Sequence, residues 1–157
     1  MAGEKSVTVS RVIPASADEV WRVLDDTSRY AEWVPQTVEV TRNDGEAVVG
    51  ATYDERNEVF GPIKGSSRWR VVERDEGRYS LHEGEGLPLV ANVSIEFRTQ
   101  PAGESTEVTS TLRYDTTLGP IGAVLDKAAH GQTVAAQEQA LANLERIVKE
   151  AGVQAAA

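Results

Sequence analysis

The 157-residue chain contains no cysteine, which excludes disulfides, thiolate nucleophiles and zinc–thiolate sites. Histidine is nearly as scarce. His82 and His130 are the only two, and neither has a second histidine at helical or hairpin spacing, so no metal site and no cofactor are expected. Lysine and arginine number 16 against 25 acidic residues, for a formal net charge of −9, and they are scattered rather than clustered. Binding a nucleic-acid duplex requires grouped cations to displace counterions from phosphate, so nucleic acid is not an expected partner. Long apolar runs are missing too. Nothing reaches the roughly 20 residues that a membrane-spanning helix needs. Met1–Lys5 has no apolar run behind its charges, so neither membrane insertion nor a secretory signal is expected, and the cytoplasm is the default location.

What is present is an ordinary globular composition, 40% apolar and 26% charged, in a length that can bury a sizeable core. One domain over 1–157 is expected, with 152–157 as a disordered tail. Ser6–Ser10 alternates polar and apolar residues as a half-buried strand does, and Pro14 stops it. Ser16-Ala17-Asp18-Glu19 reads as a capping box opening a helix whose apolar side is Val20, Trp21, Val23 and Leu24. Asp25–Ser28 interrupts it, and a second short helix ends near Trp33, closed by Val34-Pro35.

From Thr37 to about Thr117 the period changes to two, and turn residues such as Asn43-Asp44-Gly45 and Asp75-Glu76-Gly77 divide the stretch into about six hairpin-connected strands. In the last two of these, Ala91, Val93, Ile95 and Phe97, then Val108, Ser110, Leu112 and Tyr114, lie on one dry face. Gly119-Pro120 starts a final helix running to about Glu150. Its apolar stripe changes face near Gly131: Ile121, Val124, Leu125 and Ala128 lie on one side, and Val134, Leu141, Leu144 and Val148 nearly opposite. These elements predict an α+β fold, an antiparallel sheet of about seven strands curved round a long C-terminal helix, with two short helices after the first strand. A twisted sheet cannot touch such a helix along its whole length, so a cavity is expected between them. The Ile121–Ala128 half should overlook it, and the helix beyond Gly131 should simply pack.

Pro14-Ala15-Ser16-Ala17-Asp18-Glu19-Val20-Trp21, followed by Asp26, Tyr30 and Trp33-Val34-Pro35, resembles the opening signature of the START/Bet v 1-like (SRPBCC) superfamily, in its polyketide cyclase/dehydrase-like branch. Trp69–Glu73, Gly77-Arg78-Tyr79 and Leu118–Gly122 occur in matching order, so the resemblance covers essentially the whole chain. It implies a helix-grip fold with an internal pocket. Function follows less directly, because that superfamily includes carriers, receptors, cyclases and toxin-like proteins.

Pocket candidates follow from strand phase. Trp33 and Trp69 are divided between core and pocket wall, whereas Trp21 reads as core. If Tyr53 and Val59 face inward, period two carries Glu55 and Asn57 inward with them; the opposite phase, which is the default, buries Phe60 and exposes the charges. An inward carboxylate would be a functional lead, because burying it without a partner costs several kcal/mol. Tyr79 and Leu81 on the next hairpin, Val93 and Ile95, then Ser110, Leu112 and Tyr114, complete the strand contribution, and Ile121, Leu125 and Ala128 supply the helix wall. His82 and His130 read as structural or surface residues. No nucleophile–base pair can be assembled, so no catalytic residue is assigned. The leading expectation is a binding module for a small hydrophobic or aromatic molecule, lipid or polyketide-like. The alternatives are a cyclase or dehydratase acting through tyrosine, serine and Glu55, and a toxin-like regulator with a protein partner.

Overall fold

The computed structural model describes residues 5–60, 63–116 and 119–156; the side chains of 59, 60, 122, 123, 125, 126, 128 and 154–156 lie outside that description. The elements are β1 (Lys5–Ile13), α1 (Ala17–Leu24), a 3-10 turn (Thr27–Arg29), α2 (Tyr30–Trp33), β2 (Thr37–Asn43), β3 (Thr52–Phe60), β4 (Ile63–Asp75), β5 (Tyr79–Glu85), β6 (Val90–Ala102), β7 (Ser105–Thr116) and α3 (Gly119–Ala156). The seven strands form one antiparallel sheet in the order β1-β7-β6-β5-β4-β3-β2, with α3 against one face.

Local chemistry sets the boundaries. The Ser16 hydroxyl accepts the Glu19 N–H (3.3 Å) and the Glu19 carboxylate accepts the Ser16 N–H (2.9 Å), so the capping box is closed from both sides. α1 then buries Val20, Trp21, Val23 and Leu24, and the Trp21 indole donates to Thr99 Oγ1 at 2.8 Å. Register shifts at five places along the sheet, among them Val71/Glu73 and Ala91/Ser94, add local twist and bend the sheet towards the helix.

One hydrophobic core reaches from α3 and β1 to Tyr53 and Trp69. Leu141, Leu144, Ile147 and Val148 of α3 meet Val7, Val9 and Ile13 of β1 and the apolar side of α1. Asn143 ties this half of the helix to the end of α2 by donating to the Trp33 carbonyl at 3.1 Å. α3 runs on to Ala156, past the expected end near Glu150, because only Gly152 interrupts a run of good helix formers. Of the expected tail, 152–156 continue the helix, and 157 lies outside the described residues.

Candidate functional site

Sheet and helix leave between them a cavity of about 110 Å³. Tyr53, Glu55 and Asn57 of β3 and Trp69 of β4 form one wall; Val93, Ile95 and Phe97 of β6, with Leu112 and Tyr114 of β7, form another. Tyr30, Val34, Gln36 and Thr37 close the side near α2, Leu87 and Val90 sit at the β5–β6 connection, and α3 contributes Thr133 and Gln137. Glu55 is the one charged side chain lining it among the described residues.

The inward phase of β3 is fixed from outside. Asp54, the next residue, points away from the cavity and is held by Arg42 (3.0 Å) and Arg68 (2.8 Å) from the two flanking strands, which keep its carboxyl below the usual carboxylate range. Period two then places Tyr53, Glu55 and Asn57 inside, each 5% exposed or less. Burial raises the Glu55 pKa, while the neighbouring Asn57, Thr37 and Trp69 side chains partly offset that rise.

A row of hydrogen bonds crosses this wall. The Trp69 indole donates to Ser67 Oγ (2.9 Å), Ser67 donates to Asn57 Oδ1 (2.6 Å), and Asn57 Nδ2 donates to Glu55 Oε2 (3.0 Å) and to the Gln36 carbonyl (3.4 Å). Trp69 has room because its cross-strand partner is Gly84. A Cβ there would lie 2.8 Å from the indole ring atoms.

Behind this wall lies a second buried group. The Tyr53 hydroxyl and His82 Nδ1 share a 2.7 Å hydrogen bond, and His82 stacks at 21° to Tyr30 with ring centroids 6.3 Å apart. His82 is 1% exposed, and desolvation lowers its pKa to about 4, so the ring is neutral at physiological pH. Desolvation pushes the Tyr30 and Tyr53 hydroxyls well above the ordinary phenol range.

Residues 4–149 match the family described as polyketide cyclase/dehydrase and lipid transport. The chain belongs to that family. Several solved structures share the fold. A Thermus thermophilus protein is 25% identical with a TM-score of 0.74, over 94% of this chain and 99% of that one. The Zhui aromatase/cyclase of Streptomyces is 22% identical with a TM-score of 0.75, over 96% and 99%. A START superfamily protein of Mycobacterium smegmatis is 21% identical with a TM-score of 0.72, over 94% and 99%. Among curated proteins there is no significant sequence match. The helix-grip fold of START/Bet v 1-like proteins is thus the fold of this chain. No helix among the described residues is long and apolar enough to cross a membrane.

Within this polyketide cyclase/dehydrase fold, the residues singled out from sequence divide three ways. Tyr53, Glu55, Asn57, Trp69, Val93, Ile95, Leu112 and Tyr114 line the cavity. Trp33 is instead core, 1% exposed, its ring 5.7 Å from that of Phe97 and its indole N–H without a partner. Ser110 is buried one layer back, where it donates to Gln137 Oε1 at 3.2 Å and so orients a lining residue.

Five positions need correction or fall outside. Tyr79 and Leu81 sit on the outer face of β5, because Ser80 and His82 take the inward positions. Tyr79 is held outside by Glu73, which accepts its hydroxyl at 3.1 Å, and by the Arg98 guanidinium 4.3 Å from its ring centroid. Ile121 is 68% exposed and lines nothing, while the Leu125 and Ala128 side chains lie outside the described residues. Among the described residues, α3 lines the cavity through Thr133 and Gln137, beyond Gly131, where the sequence predicted plain packing. The signal for it is a pair of polar residues four apart that continue the buried stripe of Leu141, Leu144 and Val148 towards the N-terminus. Tyr30, Gln36, Thr37 and Leu87 were missed altogether, since they come from turns and short segments without periodicity.

Proposed function

We propose that this member of the family binds one small, mostly apolar molecule in the cavity between the sheet and α3. The single observation that carries this reading is an unfilled, chiefly apolar space of about 110 Å³ beside an otherwise close-packed core. Native interiors leave few voids larger than a water molecule. A dry cavity of roughly 150 Å³ is known to hold benzene, so this one suits a single ring, and a longer chain or fused-ring molecule enters only if its walls move. A thermal-shift series with ring-sized apolar compounds tests the idea. A ligand at about a hundred times its Kd should stabilise the fold by about 2.7 kcal/mol, and Leu112→Trp, which fills the space, should abolish the shift. If no compound moves the wild-type Tm, the proposal fails.

The buried carboxyl supports a second reading, a cyclase- or dehydratase-type enzyme. Glu55 lines the cavity with a raised pKa, which suits a general acid or base. Turnover of a polyketone probe by the wild-type protein but not by Glu55→Gln would establish it, and equal turnover by the two would remove Glu55 from any mechanism.

A further inference from the structure

The wall that carries Glu55 has a fixed proton direction. An indole N–H only donates, so Ser67 Oγ accepts from Trp69, and the Ser67 proton goes to Asn57 Oδ1. A main-chain carbonyl only accepts, so Asn57 must turn its NH2 towards Gln36, which also aims that NH2 at Glu55 Oε2. The acceptor end fixes the middle: flipping the Asn57 amide would set acceptor against acceptor at the Gln36 carbonyl and at Glu55 Oε2. The donors therefore run from Trp69 through Ser67 and Asn57 to Glu55, with the second Asn57 N–H spent on the Gln36 carbonyl.

The row consumes Oε2. Oε1 is not among the polar atoms walled off without a partner, and among the described residues the side chains that hold the carboxyl are Asn57, Thr37 and Trp69. Even with the Thr37 hydroxyl turned towards it, a carboxylate oxygen keeps a lone pair for the cavity. No basic side chain lines the space among the described residues, so none of them neutralises that acceptor.

Building on the ligand-binding reading above, we propose that the occupant carries a hydrogen-bond donor, a hydroxyl on a ring-sized apolar body, and that Glu55 Oε1 is the atom that reads it. The apolar body rests against Val93, Ile95 and Leu112, and the donor points at β3. The same geometry dictates what Glu55→Gln does. Asn57 requires an acceptor at the Oε2 position, so the amide oxygen goes there and the amide NH2 faces the cavity. One atom's change thus reverses the polarity of the site while its shape is kept.

Phenol, toluene and benzonitrile, three single-ring probes with a donor, no polar group and an acceptor respectively, decide the matter by calorimetry or ligand-detected NMR. The wild type should bind phenol about ten-fold more tightly than toluene, the worth of one charge-assisted hydrogen bond. Glu55→Gln should keep its toluene affinity, lose the preference for phenol and gain one for benzonitrile. The wild type alone gives a second measurement, needing no variant. Its phenol-to-toluene ratio should rise from pH 5 to pH 8 as Glu55 ionises. Among the described residues, the titratable groups facing Glu55 are Tyr30 on α2, Tyr53 on β3 and Tyr114 on β7; His82 lies behind Tyr53, and α3 brings Thr133 and Gln137. Tyr30 and Tyr53 stay protonated across that range, and His82 stays neutral. Equal affinities for phenol and toluene in the wild type, or an unchanged phenol preference in Glu55→Gln, would overturn the proposal and leave the cavity reading standing. Failure of all three probes to bind would instead end the cavity reading itself.

Discussion

His82 is the side chain whose burial has the clearest thermodynamic signature. Its ordinary pKa of 6.5 falls to about 4 in the folded protein, because the ring is desolvated among Tyr30, Tyr53 and Phe97 with no carboxylate beside it. A folded-state pKa below the unfolded one means that the unfolded chain takes up the proton first. The contribution is therefore complete above pH 6.5 and is lost as pH falls from there to about 4. At ~1.4 kcal/mol per pH decade, the loss across that window comes to about 3 kcal/mol. Glu55 and Asp25, whose pKa values are raised, act with the opposite sign in part of the same range, so the whole-protein profile does not isolate the histidine. A difference measurement does. His82→Asn places a neutral polar atom near the position of Nδ1, keeps a partner for the Tyr53 hydroxyl and does not titrate. Urea denaturation of wild type and variant at half-unit intervals from pH 7.5 to 4.5 should give stability curves that converge as the pH drops, by about 1 kcal/mol for each pH decade below 6. Curves that stay parallel would show that His82 is hydrated or protonated in the folded state, and the account of its burial would be wrong.

Further outcomes follow from the same wall. Ser67→Ala removes the acceptor of the Trp69 indole and the donor to Asn57 together, leaving two buried groups unpartnered, and should cost about 2–4 kcal/mol in chemical denaturation. Gly84→Ala drives a methyl group into the Trp69 ring and should cost about 1–3 kcal/mol, with a shift in tryptophan fluorescence reporting the displaced indole. Glu55→Gln should melt above the wild type at pH 8, where the buried carboxylate is ionised, and the two should melt together near pH 4, below its unfolded pKa. Leu144→Ala, at the fully buried centre of the α3 contact, should lose about 2–5 kcal/mol.

These predictions rest on strand phase, and phase was unevenly legible. On β6 and β7, aliphatic residues alternate with charged or hydroxylated ones, so Val93, Phe97, Val108 and Tyr114 declare their face from sequence. On β5 the hydropathy pattern pointed the wrong way: Tyr79 and Leu81 are the larger apolar groups, yet Ser80 and His82 are inside. What decides that strand is the company each side finds, Tyr53 for His82 within and Arg98 for Tyr79 without. On β3 the deciding contacts are the ion pairs of Asp54 with Arg42 and Arg68, one partner from each neighbouring strand. Such pairings depend on register, which no single strand encodes. The helix was misread for a related reason. An apolar stripe shows that a face wants cover, but Ile121 and Val124 are left largely exposed.

The place of β1 in the sheet has a consequence for the order of assembly. Among the described strands it is synthesised first, yet its partner there is β7, the last, and Thr8 meets Thr111 across a sequence separation of 103 residues. The hairpins from β2 to β7 can zip up locally, each strand beside its predecessor. β1 must wait for all of them, and loop closure over that distance is slow. Until it arrives, β7 presents an open edge and α3 lacks the surface formed by Val7, Val9 and Ile13. A chain released from the ribosome is therefore most exposed to mispairing at its C-terminal strand, and it is the N-terminal strand that ends that exposure.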